Sequence, residues 1–133
     1  MSRRLGTAFV LALALSAAAE AHHSLAGMYE SSRITLEGTI DQFQFVNPHP
    51  YIIVDVNTAG SATLWKGELD NRRELLDIGM SPTSFMAGDR VIITGSPGRD
   101  RAQSMYVWRL ERPGDGFLYE QIGTSPRVSR VRR

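Results

Sequence analysis

Cysteine is absent from the 133 residues, and with it go disulfide staples, thiolate metal sites and thiol catalysis. The fold must hold by its core alone. Histidine is scarce, at positions 22, 23 and 49 only, and Lys66 stands alone against fourteen arginines. Neither sign of charge dominates: 15 basic and 14 acidic side chains leave a formal charge of +1. A balance so close to zero gives no basis for nucleic acid or acidic lipid as a partner. No glycine-rich loop opens a helix to cradle phosphate, and Ser24, Ser31 and Ser32 have no evident triad partners. Histidine, carboxylate and methionine remain for chemistry.

A membrane-length hydrophobic run is lacking as well. Leu5 to Ala19 is free of charge for fifteen residues, short of the roughly 20 that cross a bilayer. Arg3 and Arg4 precede it, and Ala19-Glu20-Ala21 closes it with the small-x-small pattern of a signal-peptidase site. Residues 1–21 therefore read as a cleaved signal peptide, with the mature chain starting at His22; cleavage after Ala19 is the alternative. Gly6 stands where a twin-arginine signal carries a bulky apolar residue, which favours the general secretory route. The expected location is periplasmic or secreted, with no stable membrane span after processing. Removal of residues 1–21 leaves one domain's worth of chain.

Beyond an N-terminal segment, 22–33, hydrophobic periodicity points to strands. Ile34, Leu36, Gly38 and Ile40 alternate with Thr35, Glu37, Thr39 and Asp41, the period of a half-buried strand. Phe43 and Phe45 fall on the opposite parity, which predicts a bulge near Asp41-Gln42. Asn47-Pro48-His49-Pro50 interrupts pairing. Tyr51 to Val56 and Ala62 to Leu69 then complete a three-stranded meander. Asp70 to Gly79 reads as a short helix with Asn71 as cap, Glu74 closing a capping box and Gly79 as the left-handed stop. Ser81-Pro82 begins a second expected helical turn, ending near Met86.

Arg90 to Gly95, Gln103 to Leu110 and Phe117 to Ile122 supply three further strands. Arg127, Arg130, Arg132 and Arg133 make residues 123–133 a basic tail, read as a mobile solvated end or an anionic docking strip. The expected fold is mainly β: a small OB-like barrel of five to six strands over residues 34–122, with the short helix between strands 3 and 4. In such barrels ligands bind the face of strands two and three and the loops after strands one and four.

The histidines carry the sharpest chemical signal. Cleavage after Ala21 gives His22 a free α-amine beside its own imidazole, a ready chelate, to which His23 and His49 can add nitrogen donors. Nitrogen sets of this kind suit copper(II), with zinc as second choice. Cleavage after Ala19 puts histidine third in the mature chain, an arrangement that wraps copper through amine, amides and imidazole. Proline on both sides narrows the directions His49 can take.

Other residues offer less specific chemistry. Methionines 28, 80, 86 and 105 are scattered, which fits core filling better than a thioether copper(I) site. Asp70, Glu74 and Asp77 cluster at a helix start, where capping accounts for them. Tyr51, Trp65, Tyr106 and Trp108 lie on expected strands and can form a stacking face.

Ala21-His22-His23-Ser24, Leu36-Glu37-Gly38, Asn47-Pro48-His49-Pro50, Glu68-Leu69-Asp70-Asn71, Gly88-Asp89-Arg90-Val91 and Gly95-Ser96-Pro97 together resemble an uncharacterised family of exported proteobacterial proteins, a domain of unknown function. The resemblance implies export and no particular activity. The strand order also resembles the bacterial OB-fold periplasmic stress proteins, which implies fold and export alone.

The reading that follows is a binding module, not an enzyme. Its expected ligand is a copper-type ion at His22, His49 and His23. The alternative is an adaptor or small-ligand binder without metal, using Tyr51, Trp65, Asn47 and Arg72. A redox or hydrolytic role would need the histidine-terminated copper site. Protein partner and oligomeric state stay open.

Overall fold

The computed structural model describes residues 25–131; residues 1–21, read above as a signal peptide, and His22 and His23 lie outside the described residues. After a short helical stretch over 25–28, the named elements follow in order: β1 (Ile34–Gln44), β2 (Tyr51–Thr58), β3 (Ser61–Glu68), α1 (Arg72–Asp77), β4 (Arg90–Pro97), β5 (Ser104–Arg112), β6 (Phe117–Ile122) and β7 (Ser125–Arg130). The sheet runs β3-β2-β1-β4-β5-β6-β7, and β3 also pairs with β5. That extra pairing is parallel, from Lys66 opposite Ser104 to Glu68 opposite Tyr106, and it closes the first five strands into a barrel. The expected OB-like barrel with a helix between strands three and four is the observed architecture.

Local chemistry explains the strands. Ile40, Ile52, Val54, Val91, Ile93 and Val107 are buried inside the barrel, while their sequence neighbours on β1, β2 and β4 are more exposed. The predicted bulge is present: pairing of β1 with β2 passes from Ile40 to Gln42 and skips Asp41. The bulge turns Phe43 inward against Phe85, whose ring also meets Phe117 edge-on, with centroids 5.5 and 5.1 Å apart. Gly38 is required where β1 crosses β2, because a methyl group there would lie 2.4 Å from the Asp55 carbonyl oxygen.

Asn71 caps α1 by accepting the Glu74 backbone N–H at 3.0 Å. Gly79 follows at φ +90°, a conformation that costs glycine little.

Two sequence expectations change. Ser81 to Met86 forms no second helical turn; it makes a hydrogen-bonded turn, Ser84 N–H to Ser81 O at 3.0 Å. The segment's role is to deliver Phe85 to the core, and that burial sets its path rather than helix propensity. The basic tail is also not a loose end over Ser125–Arg130, which is β7. Arg127 pairs in register with Glu120 and salt-bridges it at 2.7 Å, Arg130 meets Asp115, and Val128 packs on the core. Cations that look unpartnered along the chain are thus matched across strands.

Candidate functional site

The loop between β1 and β2 carries His49, and three backbone acceptors pin it to the start of α1. Leu69 N–H donates to Pro50 O at 2.9 Å, Arg72 N–H to Pro48 O at 3.0 Å, and the Arg72 Nε to Phe45 O at 3.1 Å. Prolines on both flanks lack the N–H groups that would compete, and the Asn47-Pro48 bond is cis.

His49 is oriented by that frame. Its Nδ1 lies 3.1 Å from the Leu69 carbonyl oxygen. A carbonyl only accepts, so Nδ1 is the protonated nitrogen and Nε2 carries the lone pair of the neutral ring. Nε2 has no partner among the described residues. The Glu68 Oε1 lies 3.9 Å from the same Nδ1, and the Glu68 Oε2 accepts the Tyr29 hydroxyl at 2.6 Å. Burial and the adjoining Glu68 carboxylate push the Tyr29 phenol above its ordinary range, so it stays a donor. His49, Glu68, Tyr51, Lys66 and Asn47 line a cleft of about 250 Å³.

A second layer holds the Leu69–Asn71 backbone that positions the histidine. The Asp70 carboxylate takes the Asn71 N–H at 2.6 Å and the Gln121 Nε2 at 2.8 Å. The buried Tyr119 hydroxyl in turn donates to the Gln121 Oε1 at 3.0 Å. Desolvation raises the Tyr119 phenol out of the titrating range, which keeps this donor permanent. Strand β6 therefore buttresses a site built on β3 and the first loop.

The other expected binding residues separate. Tyr51 stands opposite Glu68 and Trp65 opposite Val54 in the β2–β3 ladder. Residues paired across a ladder share a face, so Tyr51 points outward with Glu68 while Trp65 points into the barrel with Val54. A joint Tyr51/Trp65 face does not exist. The Tyr51 ring carries the Lys66 ammonium 4.2 Å from its centroid. Arg72 lies over the Phe45 ring at 5.3 Å and is spent on holding the loop. Asn47 is exposed at the rim of the His49 cleft. His49 is the one expected metal ligand among the described residues, and no three His, Asp or Glu side chains gather there into a metal cluster.

A family model matches residues 10–106 of the chain. The chain belongs to this family, DUF6152, a family of unknown function. No curated protein matches it. The DUF6152 match takes in the charge-free run from residue 10 onward, all three histidines and strands β1 to β4, and it ends two residues after β5 begins. The buttress from Tyr119 and Gln121 is thus outside the DUF6152 match.

Sequence reasoning missed Glu68 and Tyr29. Glu68 follows from the meander register, since the residue opposite Tyr51 must share its outer face. Tyr29 carries no such signal, because the segment 22–33 has no periodicity.

Proposed function

We propose that the mature chain is an exported, periplasmic binding module, not an enzyme, that holds a copper-type ion between its processed amino terminus and His49. The observation that carries this reading is the 3.1 Å approach of the His49 Nδ1 to the Leu69 carbonyl oxygen. A ring whose Nδ1–H is tied to a backbone carbonyl, leaving Nε2 open, is the arrangement that outer partners impose on metal-ligating histidines. Tyr29 supports the other half, because its hydroxyl bonds Glu68, a residue that lines the His49 cleft. His22 lies three residues before Leu25, a span of at most about 11 Å. The amine and imidazole of His22, with His49 and optionally His23, make a nitrogen set that favours copper(II) over zinc. The adaptor reading loses the joint Tyr51/Trp65 face and keeps Tyr51 with the loop around Asn47 and Arg72.

The test begins with the intact mass of periplasmic protein, which must correspond to a start at His22 or Glu20. Copper(II) titration against a competing chelator should then give submicromolar affinity. His49→Ala and His22→Ala should each weaken binding by at least about tenfold, the scale of losing one ligand or its support. A start at Ser24 or later, absence of submicromolar binding, or unchanged affinity in both variants would overturn the proposal.

A further inference from the structure

A second cavity, of about 340 Å³, lies where the N-terminal segment crosses β4 and β5, distinct from the His49 cleft. A bulge borders it. The β4–β5 register passes from Thr94 opposite Arg109 to Gly95 opposite Val107, which makes Trp108 an extra residue. Tyr106 and Trp108, two residues apart on β5, stand as neighbours with ring centroids 5.2 Å apart at 74°. Tyr29 adds a third ring, 5.8 Å from Tyr106. The indole Nε1 donates to the buried Ser96 Oγ at 2.8 Å, so the tryptophan is held in one orientation.

The segment that completes the wall is firmly tied down. Glu30 N–H donates to Pro97 O and Arg99 N–H to Met28 O, each at 2.8 Å, and the Arg99 Nε reaches the Ala26 and Tyr29 carbonyls. The charges at the cavity are Arg33, Arg99 and Glu30. The Arg33 guanidinium lies 4.5 Å from the Trp108 ring centroid, with no carboxylate paired to it among the described residues, whereas the Glu30 carboxylate takes the Ser32 hydroxyl at 2.9 Å. A cavity of this volume, with aromatic walls and a few converging polar groups, is the usual form of a small-molecule site.

We propose that this cavity binds a small organic anion with a flat apolar body, its ring against the Tyr106 and Trp108 wall and its anionic group at Arg33 and Arg99. The aromatic wall supplies apolar area and edge contacts for a ring. The guanidinium of Arg33, already placed over Trp108, supplies a charge-assisted fork for a carboxylate or sulfonate. This site needs no metal, so its fate is separate from that of the His49 proposal.

The experiment uses mature protein in excess chelator and two fluorescent probes of similar shape, anionic anilinonaphthalene sulfonate and neutral phenylnaphthylamine. The sulfonate should bind once per chain and quench Trp108. Arg33→Gln should weaken the sulfonate by about tenfold and the neutral probe by less than about twofold. Ala26→Phe, which fills the cavity from its rim, should weaken both by at least about tenfold. If circular dichroism shows that Arg33→Gln misfolds, Ala26→Phe and the salt dependence of sulfonate binding decide the matter. The proposal is overturned by absence of one-to-one sulfonate binding, by equal losses of both probes in folded Arg33→Gln, or by unchanged binding in Ala26→Phe.

Discussion

Asp115 shows how much one exposed side chain can organise. Its carboxylate accepts the Arg112 guanidinium at two points, meets Arg130 from β7, and takes the Phe117 backbone N–H at 3.2 Å. Hydrogen bonds from Arg112 and then Arg130 hold its acid well below the ordinary carboxylate range. The folded state therefore prefers the ionised form more strongly than the unfolded chain does. That preference stabilises the fold fully above the unfolded value, about 3.9, and is lost as pH falls below it. Asp115→Asn should accordingly lower stability at neutral pH and flatten the acid limb of a urea-midpoint against pH curve. An acid limb as steep as in the parent would show that other carboxylates control it.

At the scale of elements, β7 tests how far the barrel stands alone. Barrel closure lies between β3 and β5, and β7 touches neither in the ladder. A chain ending at Gly123 should fold to the same barrel but lose about 2 kcal/mol, from Val128 burial and the Arg127–Glu120 pair, read by chemical denaturation. Failure to fold would mean that β7 is part of the core. The strands were legible because alternation survives wherever one face is buried, as in Ile34 to Ile40 and Tyr51 to Val56. The bulge at Asp41 was legible for the same reason, as a break in parity. β7 was hidden because its polar residues are satisfied only by Glu120 and Asp115, partners that a linear pattern does not reveal. The turn over Ser81 to Met86 was hidden because Phe85 obeys the core and not a helical period. Site residues fared likewise: His49 between two prolines stands out in sequence, whereas Glu68 and Tyr29 meet it only through the ladder and a segment without pattern.

The molecule as a whole is a closed barrel with a strap, since residues 25–30 lie across it and Tyr29 reaches from Gly98 to Glu68. Tyr29→Phe removes a hydrogen bond to a charged acceptor, worth about 1.5–3 kcal/mol. Its effect should be local: amide exchange at Glu30 and Arg99 speeds up while Val54 and Ile93 in the barrel keep their protection. Uniform loss of protection would show that the strap and barrel unfold together. The parallel seam between β3 and β5 has a further consequence, in the time domain. Residues 66–68 pair with β2 on one edge, but their other edge must wait for residues 104–106, and until then it presents open backbone donors and acceptors, a template for self-association. Closure over such a separation is slow compared with hairpin formation. The interval before the seam forms is thus when this chain is most exposed to aggregation and proteolysis, and a chain truncated ahead of Ser104 would stay in that condition permanently.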